Sequence, residues 1–301
     1  MRQAALLEAV RTLRWPARRR VRGTVPGAHL ARLRGPGGEF SEYRAYRQGD
    51  DPRRLDWRLL ARSDRAYVRL ADDHALLPTW LVVDASASMA FPGDDLAGRF
   101  GVPAAARWAK WRTAESLAVA LAAVALRAGD PVGLAVAAEG GTRTRPPRSR
   151  RGVLAELDAA LAAVAPGGAP AVAPLLAPLL TGAGASARVV LVGDFLGEDA
   201  DLVRRSAGAL AAAGADVHAV HVVAAEELTP PAGALLLEDP EAPARRRPLE
   251  AGTARRAYEE RFAAWRADVA REWRDVGASY TLVRTDEPVP RAVRRVVQGT
   301  G

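Results

Sequence analysis

Leu81-Val82-Val83-Asp84-Ala85-Ser86-Ala87-Ser88-Met89 leads an apolar run straight into three oxygen-bearing side chains at alternate positions. A short apolar run without polar alternation reads as a strand buried on both faces of a sheet. The Asp-x-Ser-x-Ser that follows leaves one carboxylate and two hydroxyls at the strand's carboxyl end. All are hard oxygen donors of the kind Mg²⁺ accepts while keeping several of its waters. The same side chains also suit a purely structural role, with Asp84 bonding loop amides and Ser86 and Ser88 capping the next turn.

Working outward, strand and helix patterns alternate. A strand over Trp80 to Val83 precedes an Ala-rich helix over Ala104 to Arg127, and Pro131 to Ala138 forms a strand with a hairpin return through Thr144. Val153 to Val164 is helical and ends at Pro166-Gly167-Gly168; Arg188 to Val192 is a second fully apolar strand. A helix over Asp201 to Ala213, a strand over Asp216 to Val223 and a hairpin over 235 to 250 follow. Tyr258, Phe262, Trp265, Val269, Trp273 and Val276 recur at helical spacing, and Ser279 to Arg284 reads as the last strand. Apolar strands separated by helices predict an α/β fold, a doubly wound and mostly parallel, Rossmann-like sheet. Ligands bind such sheets beyond the strands' carboxyl ends at the switch point, which makes Asp194, after the apolar Arg188 to Val192, the natural companion of Asp84.

Four segments follow: a basic N-terminal arm over 1 to 24, a β-rich extension over 25 to 79, the wound domain over 80 to 290 with its hairpin insertion near 230 to 250, and a tail over 291 to 301. Within the extension, Arg44, Arg47, Asp50, Asp51, Asp56 and Arg58 make a dense set of opposite charges, suited to partner recognition or to a structural ion network.

The 301 residues contain no cysteine, which removes disulfides, thiolate catalysis and zinc–thiolate sites and fits a reducing, cytoplasmic setting. No signal peptide and no apolar stretch of the ~18 residues a membrane span needs is visible. All but Lys110 of the 43 basic residues are Arg. Most of the net charge of +8 resides in residues 1 to 40, which hold a net +7. Such an arm suits an acidic partner, an anionic membrane surface or nucleic acid, although no interleaved aromatics point to specific base recognition.

These residues carry a resemblance. A strand ending in Asp84-x-Ser86-x-Ser88 within a wound sheet resembles the metal-ion-dependent adhesion site (MIDAS) of von Willebrand factor A domains. The upstream blocks Gly38-Glu39-Phe40-Ser41-Glu42-Tyr43-Arg44, Tyr46-Arg47-Gln48-Gly49-Asp50-Asp51 and Arg54-Leu55-Asp56-Trp57-Arg58 are similar to those of the bacterial domain of unknown function 58 family. So are Ala128-Gly129-Asp130-Pro131, Val192-Gly193-Asp194-Phe195 and Thr285-Asp286-Glu287-Pro288. The resemblance implies a von Willebrand factor A-like domain with Asp84, Ser86, Ser88 and Asp194 as Mg²⁺ ligands, a partner's acidic side chain completing the shell. It also implies an adaptor working with a MoxR-type AAA+ ATPase or its client. The family's Thr ligand follows a Gly-Gly turn; here that turn reads Gly167-Gly168-Ala169, so a water, or Thr181, has to take its place, and weak affinity is expected.

No catalytic role is expected. Gly-x-Ser-x-Gly and the phosphate-binding Gly-x-x-x-x-Gly-Lys are absent, and the four histidines stand beside no evident nucleophile in the sequence, although a Ser–His–Asp triad assembled from distant segments stays open as an uncharacterised hydrolase. His218 and His221, three apart on a strand, point to opposite faces and make a poor metal pair.

Overall fold

The computed structural model describes residues 3–17, 26–30, 39–47, 55–63, 65–72, 74–92, 109–230, 235–238, 240–241, 246–249 and 253–299. The chain divides into two compact units, Pro16–Leu77 and the remainder.

In the smaller unit, β1 (Pro26–Leu30) pairs antiparallel with β4 (His74–Ala75), and β2 (Glu39–Ala45) pairs antiparallel with β3 (Tyr67–Asp72). A helix spans Trp57–Ser63. Asp56 starts that helix, its Oδ1 accepting the amides of Arg58 and Leu59 at 3.0 Å each, and its Oδ2 accepts the Tyr43 hydroxyl at 2.8 Å. This is N-capping by a short acidic side chain, worth ~1 kcal/mol.

The larger unit is built on a six-stranded sheet. Its strands are β5 (Thr79–Ala85), β6 (Val132–Ala138), β7 (Gly141–Arg148), β8 (Arg188–Gly193), β9 (Asp216–Val223) and β12 (Ser279–Arg284), in the order β12-β9-β8-β5-β6-β7. Every pairing is parallel except β6 with β7, the hairpin return. Between β9 and β12 the chain makes a separate two-stranded ribbon, β10 (Leu235–Glu238) with β11 (Arg246–Leu249).

The apolar runs of β5 and β8 are explained by helices on both faces. Leu81, Val83, Val190 and Val192 pack against helices Ala109–Arg127, Val153–Ala162 and Val289–Gln298. Val82, Val189 and Leu191 pack on the opposite face against helices Ala173–Thr181, Ala200–Ala213 and Thr253–Asp275. Burying a Val or Leu contributes roughly 1.5–3 kcal/mol, so these alternating pairs hold both layers. Gly214 ends the Ala200–Ala213 helix in the left-handed region at φ 114°, its amide donating to Leu210 and Ala211.

Two segments differ from their sequence reading. Residues 291 to 301, read as a tail, contain most of the Val289–Gln298 helix, which buries Ala292, Val293, Val296 and Val297. The beginning of the chain, read as a basic amphipathic helix or arm, holds a short helix, Ala4–Ala9, but is no free arm, because it buries Val10 and Trp15 in the main core; residues 18–24 lie outside the described residues. The Ala173–Thr181 helix, whose end the sequence placed at Thr181, carries Pro174 in its first turn, where proline is tolerated, and Pro178 in its interior.

Candidate metal and partner-binding site

β5 is the switch strand. Successive strands are added to one side of it as β6 and β7, and to the other as β8, β9 and β12, so a crevice opens beyond the carboxyl ends of β5 and β8. Asp84 and Asp194 stand there, both buried. The strands can approach so closely because of Gly193: a Cβ at that position would stand 2.9 Å from the Asp84 Cβ.

Past Asp84 the chain turns sharply. The amide of Ser86 donates to Asp84 Oδ1 at 2.8 Å, and residues Ala87–Ala90 form a single 3₁₀ turn that buries Ser88 and Met89. The Gly167-Gly168 turn docks on this loop through Ala87 N to Gly168 O at 2.8 Å and Gly167 N to Ala85 O at 2.9 Å. The hydroxyls of Ser86 and Ser88 lie 2.9 Å apart, and Ser88 donates to Glu241 Oε1 at 3.1 Å. Asp194 Oδ1 accepts the Leu196 amide at 3.2 Å.

Sequence reasoning missed Lys110. Its ammonium is fully buried, 2.5 Å from Asp194 Oδ2 and 2.9 Å from Glu227 Oε1. Glu227 in turn accepts the Ala224 amide through Oε2 at 2.7 Å, and its carbonyl accepts the Tyr258 hydroxyl at 3.0 Å.

This arrangement splits the carboxylates electrostatically. Burial, reinforced by the charge of Asp194, pushes Asp84 up to about 7, against the hydrogen bonds from Ser86. Burial also acts upward on Asp194, but Lys110 outweighs it and holds that carboxyl below the usual range. For Glu227 burial prevails over Lys110, and the carboxyl is raised. Burial opposes the charge on Lys110, yet the two carboxylates keep it more basic than a free lysine.

Asp84, Ser86, Ser88 and Asp194 are oxygen donors of the kind Mg²⁺ accepts, while among the described residues no group of three or more His, Cys, Asp or Glu is placed to hold a metal ion. Oxygens at adjacent corners of an octahedron about 2.1 Å from the ion stand about 3.0 Å apart, which matches the 2.9 Å between Ser86 and Ser88. Burial and the charge of Asp194 both disfavour the ionised form of Asp84. Ala169 is exposed and brings no oxygen-bearing side chain. Thr181 does not replace it, because its hydroxyl turns back to Ala177 O and Pro178 O of its own helix.

The charged residues of the extension are not gathered into one site by the described contacts. Asp56 is engaged in capping, Arg44 donates to the neighbouring Ala45 carbonyl at 3.3 Å, Arg47 and Arg58 are exposed, and Asp50 and Asp51 lie outside the described residues.

Ser279, His218 and Asp216 lie in line, the kind of arrangement from distant segments that the sequence left open, although His218 Nε2 makes no hydrogen bond in it. Ser279 Oγ lies 2.7 Å from His218 Nδ1, and His218 Nε2 lies 3.3 Å from Asp216 Oδ1. It sits at the amino ends of β9 and β12, on the face where Trp15 packs edge-on against His218 at 5.3 Å. All three members are buried, Ser279 with 8% of its surface exposed. His221 faces the opposite side, bonded to the Tyr280 hydroxyl at 2.7 Å and packed against Phe195 and Trp265.

Fold and site together define a doubly wound α/β protein with an oxygen-lined loop at its switch point. The chain belongs to the family described as Protein of unknown function DUF58, whose model matches residues 42–268. It is 44% identical over 86 residues to the uncharacterized protein Rv1480 of Mycobacterium tuberculosis and to Mb1516 of Mycobacterium bovis, a match covering 29% of this chain and 27% of theirs. The chain thus spans about a quarter of the length of these relatives. Similar solved structures include the conserved hypothetical protein BatB from Bacteroides thetaiotaomicron, at 16% identity and a TM-score of 0.42 over 74% of this chain and 96% of that one. The SpRpn10 VWA domain is 10% identical, with a TM-score of 0.38 over 73% of this chain and 94% of that one. Among the described residues no helix is long and apolar enough to cross a membrane.

Proposed function

We propose that this chain is a non-catalytic protein-interaction module that takes an acidic side chain of a partner at the Asp84-Ser86-Ser88 loop in a Mg²⁺-dependent manner. The observation that supports it is the convergence of Asp84, the 2.9 Å serine pair and Asp194 at the switch point. Asp84, Ser86 and Ser88 would hold the ion directly, with Asp194 behind them. Bound Mg²⁺ supplies an open coordination position for a carboxylate oxygen.

The residues around it prepare that position. The Gly167-Gly168 turn clamps the loop, and the Ser86 amide orients the Asp84 carboxylate. Lys110 neutralises much of the charge on Asp194, leaving Asp84 as the principal charged ligand; with Ala169 in place of a Thr, this favours modest affinity. By family resemblance the partner is a MoxR-type AAA+ ATPase or its client, and the role is assembly or maturation of other proteins. The burial of Ser279 supports the non-catalytic reading.

The test is capture of the MoxR-type ATPase from the same cell by the full chain in Mg²⁺, in EDTA, and with Asp84→Ala. Capture in Mg²⁺ and loss in the other two is expected; equal capture in all three would sink the metal-dependent form.

A further inference from the structure

The six-stranded sheet stops at β7, and that last strand is a band of positive charge. Between Gly140 and Ala155 stand Arg143, Arg145, Arg148, Arg150 and Arg151, with no acidic residue among them. Every residue of β7 is exposed except the half-buried Pro147, and among the described residues no further strand pairs with its outer edge. Arg143, Arg145 and Arg148 stand opposite Val136, Leu134 and Val132 of β6. Residues directly opposite share a face, so these arginines lie on the side packed by the helices Ala109–Arg127 and Val153–Ala162.

Little of this charge is neutralised. Arg150 pairs with Glu156 at 2.8 Å, and Arg143 donates to the Ala163 carbonyl at 3.3 Å. Among the described residues no ion pair engages Arg145, Arg148 or Arg151. The band runs into a hollow of about 370 Å³, lined by the apolar Leu7, Leu126 and Leu154 and by Arg127, Arg150 and Arg151, with no carboxylate. Charge and proline on an edge strand also guard against unwanted pairing, for which either sign serves. Guarding an edge requires neither five charges of one sign nor a partly apolar hollow at its end.

The occupant follows from the chemistry. Two β7 edges side by side would set arginine against arginine, which disfavours a second copy of this chain. No aromatic side chain stands on the band or lines the hollow for bases to stack on. None of the exposed large apolar side chains among the described residues is on the band to enter a membrane. An extended acidic segment of another protein meets every feature: its backbone continues the ladder along Gly141–Arg145, ahead of the amide-lacking Pro146-Pro147, its alternate carboxylates meet arginine, and an apolar side chain enters the hollow. We propose that β7 and this hollow form a docking edge for an acidic β-strand of a partner protein, separate from the Asp84 loop and independent of any metal ion.

The test is fluorescence anisotropy of the full-length chain with a labelled peptide that alternates Glu with Val and ends in Leu. Binding is expected, weakening as salt is raised and unchanged by EDTA. The triple variant Arg145→Gln, Arg148→Gln, Arg151→Gln should bind about tenfold more weakly, the scale of three exposed ion pairs lost together. All three side chains are exposed, and circular dichroism confirms that the fold is retained. Of two peptides N-methylated on alternate sets of amides, one should lose binding and the other keep it, the signature of strand addition. The proposal is overturned if the peptide does not bind, if its Gln counterpart binds as well, if the triple variant matches the wild type, or if both methylated peptides bind equally. Tighter binding of single-stranded DNA or of phosphatidylserine vesicles than of the peptide overturns it too.

Discussion

The two ends of the central sheet each bury a charge cluster, and they solve the problem differently. At the amino end, Arg188 of β8 lies 3.6 Å from both Asp130 and Asp216, with Nη2 donating to Trp15 O at 2.9 Å and the guanidinium 4.1 Å from the Trp15 ring centre. A flat guanidinium with five donors can serve several acceptors and an aromatic face at once. At the carboxyl end a single ammonium, Lys110, meets Asp194 and Glu227, while Asp84 and Glu241 gather beside them. One end is sealed by an aromatic lid. The other sets one cation among several carboxyls, and burial, reinforced by the charge of Asp194, raises the carboxyl of Asp84. Burial of charge alone therefore does not mark a functional site.

That contrast can be broken. The largest effect is expected from Arg188→Met, which strands two buried carboxylates and should remove about 3–5 kcal/mol of stability. Its urea midpoint should fall by the same amount in Mg²⁺ and in EDTA. Lys110→Met should cost about 3 kcal/mol, but here Mg²⁺ should recover part of the loss, because the vacated end still attracts a cation. Equal Mg²⁺ responses in the two variants would erase the distinction between the ends.

Gly193→Ala sharpens it from the side of packing. The added methyl would stand 2.9 Å from the Asp84 Cβ, forcing a shift that should cost about 2 kcal/mol. Mn²⁺ affinity should suffer more than stability does. The smallest effect is a pH slope. Burial holds His221 down to about 3, against 6.5 when free. The unfolded chain therefore binds the extra proton between those values, and stability is lost as pH falls from 6.5 toward 3. One proton gives about 1.4 kcal/mol per pH unit in that window. Asp84, raised from 3.8 to about 7, contributes a slope of opposite sign over the same window, so the check is a difference: in urea titrations between pH 6 and 5 the stability of the wild type minus that of His221→Phe should fall by about 1.4 kcal/mol per pH unit.

The strands and the Asp84-Ser86-Ser88 loop were legible in the sequence because burial on both faces demands uninterrupted apolar runs, and the oxygen donors break such a run visibly. The Val289–Gln298 helix was not, although Ala292, Val293, Val296 and Val297 repeat at helical spacing between arginines; the segment is short and follows Pro288. Lys110 and Glu241 escaped for another reason. Their partners lie 84 and 153 residues away, and only the folded chain brings them together. The one hint was a solitary lysine among 43 basic residues.

That solitude makes Lys110 a chemical reporter. In the native protein its amine is fully enclosed, so amine-directed reagents, cross-linkers and enzymes that modify lysine meet no accessible side-chain target. A label appearing on Lys110 would record a molecule whose carboxyl-end cluster had opened, and the rate of labelling would time that opening without any engineered probe.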